Sequence, residues 1–286
     1  MSPALREAVA RALGEPVVSA SRAAGGDINE AWVLRTPGRR VFLKARPGGG
    51  DGWFRVEAAG LRWLGEPGAL PVPEVLALSA PGAETPWMAL SFIPPGRGSA
   101  AADESFGRSL AALHRSGAPG FGLDHDNLIG ALPQDNTPEA DWATFWAQRR
   151  LLPQLERAGE RLPAAVRRRV ARVIDRVPAL VGPPEPPARL HGDLWGGNRL
   201  VDDPGRSWLI DPAAYGGHRE VDLAMMRLFG GFSGRCFDAY AEAWPLAAGH
   251  EARIPLYQLY YLLVHVNLFG RGWVSGVEGA VSALGG

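Results

Sequence analysis

One stretch constrains this chain more than any other. His191-Gly192-Asp193-Leu194-Trp195-Gly196-Gly197-Asn198 is followed, thirteen positions after Asn198, by Asp211 in Leu209-Ile210-Asp211-Pro212. A carboxylate, an amide five residues on and a second carboxylate closing an apolar run put three oxygen-bearing side chains in a fixed order. Short strand-like runs, Arg199 to Val201 and Trp208 to Ile210, would deliver Asn198 and Asp211 at their ends. Gly196 and Gly197 are read as letting the loop turn tightly, because glycine tolerates backbone angles that other residues avoid.

This order is the one in which kinase-like phosphotransferases carry a base and two magnesium ligands. Phosphoryl transfer needs a carboxylate beside the attacking hydroxyl and oxygen ligands on the Mg²⁺ that bridges the nucleotide phosphates. Asp193 suits the first task; Asn198 and Asp211 suit the second.

Of thirty basic residues twenty-nine are Arg, and Lys44 is the one Lys. The two types exchange freely at solvated positions but not where a compact charge must meet phosphate oxygens, so Lys44 marks a place where Arg would not serve. It closes the apolar run Val41-Phe42-Leu43-Lys44, which reads as a strand. Two earlier strand candidates, Val17 to Arg22 and Ala31 to Arg35, flank a glycine turn containing Gly25 and Gly26, whose backbone N–H groups could lie over phosphates. A helix over Gly52 to Leu64 carries Glu57, placed to pair with Lys44. Strands over Val72 to Leu78 and Trp87 to Ile93 would complete a small sheet. A Pro-Pro-Gly break then follows, and Ser91, Phe92 and Ile93 lie at a hinge whose backbone would meet an adenine edge.

Beyond the hinge the pattern is helical: Asp103 to Arg115 and Asp141 to Arg157, with Asp103 and Asp141 as N-caps and Pro153 a kink or stop, then Pro163 to Val181, Val221 to Leu228, Gly234 to Trp244 and Pro255 to Phe269. The fold class expected is α+β. Residues 1–93 would form a small nucleotide-binding lobe with an antiparallel sheet, and residues 94–286 a larger, mainly helical lobe holding the catalytic and acceptor sites.

Thirty acidic residues cancel thirty basic ones, so no overall field calls for nucleic acid or an anionic membrane. The single Cys236 excludes an internal disulfide, and the six scattered histidines leave no thiolate zinc site. The N-terminus reads as an amphipathic helix around Leu5, Val9 and Leu13 rather than a signal peptide. The apolar stretch from Leu256 to Phe269 contains Gln258, His265 and Asn267, which argues against a membrane span, and the cytoplasm is the expected compartment.

Only eight residues separate Asp211 from Glu220, far fewer than the activation segment with which a protein kinase docks a peptide. Asp211 precedes Pro212 where a protein kinase has Phe-Gly, and proline biases its predecessor toward extended geometry.

From Gly25 to Gly270 the sequence resembles the fructosamine kinase (ketosamine 3-kinase) family, itself similar to aminoglycoside phosphotransferases and choline kinases. The likeness is carried by the loop 190–198 and by Phe121-Gly122-Leu123-Asp124-His125-Asp126-Asn127, Arg149-Arg150-Leu151-Leu152-Pro153-Gln154-Leu155, Gly217-His218-Arg219-Glu220-Val221-Asp222-Leu223-Ala224 and Leu228-Phe229-Gly230-Gly231-Phe232. The resemblance implies a two-lobed protein-kinase-like fold and ATP- and Mg²⁺-dependent phosphorylation of the sugar 3-hydroxyl of a fructosamine or ribulosamine, small or protein-bound, leading to deglycation of the amine. It implies Lys44 as the nucleotide lysine, Glu57 as its partner, Asp193 as the base, and Asn198 and Asp211 as metal ligands. Trp195, where aminoglycoside kinases commonly carry His, could stack on a sugar face. Several relatives carry Cys in the glycine turn and form a disulfide-linked dimer; Asp27 stands there in this chain, so that link is not expected. Another small-molecule kinase and a non-catalytic nucleotide-binding protein are the alternatives. Asp222 is read as capping its own helix, and Asp126 or Asn127 as shaping a loop near the pocket.

Overall fold

The structure is a computed structural model that describes residues 1–23, 29–50 and 52–285. The expected glycine turn, with Gly25, Gly26 and Asp27, lies outside the described residues.

Helix α1 (Pro3–Leu13) is capped by Ser2, whose side chain accepts from the Leu5 N–H, and it buries Leu5 and Val9. Strands β1 (Ser19–Arg22), β2 (Glu30–Arg35) and β3 (Arg40–Ala45) precede helix α2 (Trp53–Gly65); β4 (Val75–Leu78) and β5 (Trp87–Ser91) follow it. The five strands form one antiparallel sheet in the order β1-β2-β3-β5-β4. Two-residue alternation along β3 decides what it delivers to each face. Val41, Leu43 and Ala45 pack with Leu5 and Val9 of α1, while Phe42 packs with Phe54, Ala58 and Leu61 of α2. Lys44 falls on the α2 face for the same reason, which is why a charged residue follows the apolar run Val41-Phe42-Leu43 within the strand. The connection after Ser91 docks on the helical part of the chain, the Gly96 N–H donating to the Val201 carbonyl.

The remainder is mainly helical. Helix α3 (Ala100–Arg115) leads to the hairpin β6 (Asn127–Ile129) and β7 (Leu132–Gln134), then to α4 (Trp142–Phe145), a π-helical stretch (Trp146–Leu151), α5 (Leu152–Ala158), α6 (Ala164–Asp175) and α7 (Val177–Leu180). Strands β8 (Ala188–Leu190), β9 (Arg199–Val201), β10 (Ser207–Leu209) and β11 (Tyr215–Gly217) frame the loop that carries Asp193 and Asn198. Helices α8 (Glu220–Phe229), α9 (Gly234–Ala243), α10 (His250–Phe269) and α11 (Val274–Ala283) complete the chain. The largest core cluster centres on α10, where Leu256, Tyr257, Leu259, Tyr260, Tyr261 and Leu263 are almost fully buried.

Several expectations change here. Ser99, not Asp103, caps α3; Asp103 lies in the first turn, and its carboxylate takes the Arg199 guanidinium at 2.6 Å. Pro153 neither kinks nor stops a regular helix. Lacking an N–H, it sits in the first turn of α5 just beyond the π-helical turn, where the missing donor is tolerated. The helix expected over Pro163 to Val181 breaks at Arg176 ahead of Pro178, and α10 begins at His250, five residues before the expected Pro255. Arg253, within that added turn, donates to Glu220 from Nε at 2.8 Å and from Nη2 at 2.6 Å. Helix α11 was not legible because Gly276 and Gly279 interrupt its pattern; a Cβ at Gly276 would stand 2.7 Å from Leu262, so the glycine admits the close approach to α10. No helix among the described residues is long and apolar enough to cross a membrane.

Candidate active site

The Lys44 ammonium bonds two carboxylates, Glu57 Oε1 at 2.6 Å and Asp211 Oδ1 at 2.5 Å. Glu57 lies one turn into α2, directly across from β3, so strand alternation and helix phase together account for the pair. Burial works against the Lys44 charge, but Glu57 and Asp211 outweigh it and hold its pKa well above the ordinary lysine value. For Glu57 burial is the largest influence and pushes the carboxyl upward; Lys44 opposes it, and Asp211 adds to the rise.

Asp211 does not have the extended geometry anticipated for a residue before proline. Its φ is +54°, the one non-glycine residue with positive φ among the described residues. Such a residue costs about 1–3 kcal/mol and persists only where its surroundings over-determine it. They do so on both sides: the Ile210 N–H donates to the Asn198 carbonyl at 3.1 Å, the Ile210 carbonyl faces His191 Nε2 at 2.8 Å, and the Ala213 N–H donates to the His191 carbonyl at 3.0 Å. The twisted backbone aims the Asp211 carboxylate back at Lys44, so that side chain is turned into the site.

The loop carrying Asp193 is held from beneath. Asp222, at the third position of α8, does not cap that helix; one carboxylate oxygen accepts from the His191 N–H at 2.8 Å and the other from the Gly192 N–H at 2.9 Å. His114 Nε2 meets the same carboxylate at 3.2 Å, and its Nδ1 meets the Tyr240 hydroxyl at 2.8 Å. Burial alone would raise the Asp222 pKa, but these bonds, with His191 nearby, bring it below the ordinary aspartate value. Gly192 has φ +81°, and a Cβ there would stand 2.1 Å from the Ala213 carbonyl oxygen, so no other residue fits. The Tyr261 hydroxyl donates to its carbonyl at 2.7 Å. Burial lowers the His191 pKa and keeps its ring neutral; Nδ1 accepts from the Asp193 N–H at 3.2 Å.

Asp193 is itself short of partners. Its carboxylate accepts from Asn198 Nδ2 at 3.3 Å, while the same amide donates to the Asp193 carbonyl at 2.8 Å and reaches the Asp211 carbonyl at 3.5 Å. Loss of water pushes the Asp193 pKa up to about 7, with the Asp211 carboxylate adding to the rise. With the Asn198 amide nitrogen engaged, its oxygen is the atom left for a further ligand.

Trp195 is 42% exposed and is not core packing. Its ring folds over Gly197, where a Cβ would lie 2.3 Å from the indole. Neither Gly196 nor Gly197 has positive φ, so the reason for glycine at 197 is room for the Trp195 ring rather than backbone freedom.

Lys44, Glu57, Asp193, Trp195, Asn198 and Asp211 line one cavity, together with Asn29, Trp53 and Val56 from the sheet side and Asn127, Leu128 and Gly130 from the β6–β7 hairpin. Asn127 shapes that wall: its amide donates to the Ala214 carbonyl at 2.8 Å and its oxygen accepts from Gln134. Ser91, Phe92 and Ile93 do not line this cavity. Ser91 ends β5 and exchanges bonds with Glu74, its N–H donating to the Glu74 carbonyl and its hydroxyl accepting the Glu74 N–H, while Arg40 stacks on Phe92 at 4.2 Å. Asn127 was read from the sequence as shaping a loop near the pocket, whereas Asn29, Trp53, Leu128 and Gly130 were missed, because nothing in their spacing relates them to the loop at Asp193.

The sequence model of the fructosamine kinase family matches residues 1–284. This chain belongs to the fructosamine kinase family. It is 39% identical over 257 residues to the probable ketoamine kinase of Enterococcus faecium, a match covering 89% of this chain and 91% of that one. The crystal structure of a candidate fructosamine-3-kinase from Thermobifida fusca superposes with a TM-score of 0.91 at 41% identity, covering all of both chains. An aminoglycoside phosphotransferase superposes at a TM-score of 0.64 with 19% identity over 98% of this chain and 99% of that one, which shows the shared protein-kinase-like fold. The family member described here thus has the α+β, protein-kinase-like fold expected of its sequence.

Proposed function

We propose that the chain is an ATP-dependent kinase that phosphorylates the 3-hydroxyl of ketosamines of the fructosamine or ribulosamine type, the step that leads to deglycation of the amine. The observation that carries this reading is the shared cavity: an aspartate with its pKa near 7, a lysine bridging two carboxylates and an exposed tryptophan face one space.

Asp193 is the base. Its carboxylate orients the acceptor hydroxyl and takes its proton as the oxygen attacks the terminal phosphorus of ATP, and ADP departs with the bonding pair. Lys44, held by Glu57, binds the nucleotide phosphates. The glycine turn at Gly25 and Gly26 and the hinge at Ser91, Phe92 and Ile93 are assigned to phosphates and adenine. The lobe boundary is placed between residues 93 and 94. Trp195 lays its indole against the C–H face of the ketose and keeps water from the phosphoryl group.

The residues present fit a Mg²⁺ ion. Asp211 Oδ1 is taken by Lys44 and Asn198 Nδ2 by Asp193, which leaves Asn198 Oδ1 and Asp211 Oδ2 as the oxygens that would face a metal; no group of three or more His, Cys, Asp or Glu side chains among the described residues could hold a metal alone. Mg²⁺ favours such a site, taking one or two protein oxygens and completing its shell with water and substrate phosphates. When bound it neutralises charge on the transferring phosphates.

A panel of acceptors with labelled ATP tests the reading. Turnover of N-alkyl ribulosamine and fructosamine without turnover of free hexoses, choline or aminoglycosides is expected; turnover of a plain hexose with no ketosamine phosphorylated removes the assignment.

A further inference from the structure

Trp195 accounts for one wall of the acceptor space, and two unassigned side chains stand on the sheet side of the same cavity. Trp53 opens α2 one turn before Glu57 and lines the cavity with Val56. The guanidinium of Arg46 stacks over its ring, 3.6 Å from the centroid, and Arg46 itself lies two residues beyond Lys44 in the chain. The indole on α2 is thereby tied to the residue that follows β3, and the same two elements supply the Lys44–Glu57 pair.

Asn29, immediately before β2, lines the cavity too, and its side-chain oxygen is buried with no hydrogen-bond partner among the described residues. A buried acceptor without a donor is costly and rare unless a ligand supplies the donor. A ketose fits both features: its C–H face suits an indole, and its hydroxyls suit an isolated amide oxygen.

We propose that Trp53 and Asn29 form the second wall of the acceptor site, so that the ketose is gripped between Trp195 on the helical side and Trp53 on the sheet side, with one of its hydroxyls donating to Asn29. This rests on the ketosamine reading and extends it: acceptor chain length is measured by the space between the two indoles. Because Trp53 stands on the helix that carries Glu57, the acceptor also bears on the element that positions Lys44.

The test measures KM separately for ribulosamine, fructosamine and ATP in the wild type, Trp53→Ala, Trp53→Phe and Asn29→Ala. Trp53→Ala is expected to raise the acceptor KM by roughly tenfold and to change the ribulosamine-to-fructosamine ratio of kcat/KM, with the ATP KM held within about twofold. Trp53→Phe, which keeps an aromatic face, recovers much of the loss, and Asn29→Ala raises the acceptor KM by a smaller factor. An ATP KM that rises as much as the acceptor KM, or an unaltered acceptor ratio in folded Trp53→Ala, overturns the proposal. Should the wild type turn over no ketosamine, the ketosamine reading fails on its own. The same variants are then titrated with the ketosamines in the presence of a non-hydrolysable ATP analogue, and loss of tryptophan quenching in Trp53→Ala but not in the wild type still supports the wall, whereas no quenching in either overturns it.

Discussion

Two clusters of buried or half-buried charge lie on either side of the catalytic loop, and they are built in opposite ways. Beneath it, Asp222 spends both carboxylate oxygens on the His191 and Gly192 backbone and a third bond on His114, which is itself tied to Tyr240. Above it, among the described residues, the Asp193 carboxylate has one weak side-chain bond, at 3.3 Å, and Asp211 meets Lys44 through a single oxygen. The lower carboxylate is brought below its ordinary pKa and the upper one pushed up to about 7. A carboxylate with both oxygens engaged is a fixture; one left short of donors in a low-dielectric space is available for proton transfer.

The largest effect that can break this contrast is at Asp193. Asp193→Asn keeps the shape of the loop and removes the proposed base, so kcat should fall by roughly 10²–10⁴-fold in a coupled ADP-release assay. Stability should move the other way. The raised folded pKa means the native state holds a proton that the unfolded chain has already released between about pH 4 and 7, so the wild-type aspartate weakens the fold as pH rises through that window. Asp193→Asn should therefore raise Tm at pH 8 more than at pH 5, as read by scanning calorimetry.

Asp222→Ala attacks the saturated cluster and should do the reverse. It strands two buried backbone N–H groups and His114, and should cost about 3 kcal/mol of stability in denaturant unfolding. Catalysis by the folded remainder should suffer in kcat rather than in the ATP KM, because the loop loses its anchor rather than a ligand.

A smaller and graded effect comes from pH. Below about pH 7, kcat/KM for the ketosamine should drop by roughly tenfold per pH unit as Asp193 takes up its proton, and level off above it. Smallest is Trp195→Ala, expected to raise the acceptor KM by about fivefold to tenfold with little change for ATP, since one stacked face is lost. Equal changes in both KM values would place Trp195 in the nucleotide site instead.

Much of the upper cluster was legible in the sequence because its members are marked locally: an Asp-to-Asn spacing, an Asp at a strand end, the lone Lys among twenty-nine Arg, and a Glu in the next helix. The lower cluster was not. Asp222 lies in the first turn of α8, where an acidic residue has an ordinary reading as a helix-terminal charge, and its true partners stand 30 and 31 residues back in the chain. His114 reaches Asp222 across 108 residues, a pairing that only the packing of α3 against the rest of the fold creates. Of the hairpin wall only Asn127 was read as near the pocket; its partners Ala214 and Gln134, and its neighbours Leu128 and Gly130, were hidden because three-residue strands leave almost no periodicity to read. The left-handed Asp211 runs against the local preference set by Pro212, and it is the loop around it, closed by two backbone–backbone bonds and the His191 ring, that prevails.

The most direct measurement is phosphorus NMR of the product formed from ATP and a ribulosamine, compared between wild type and Asp193→Asn. The account predicts a single phosphomonoester whose phosphorus couples to the proton at sugar carbon 3 in the wild type, and no such signal from the variant over the same period. A phosphoryl group on another hydroxyl, or undiminished product from Asp193→Asn, would contradict it.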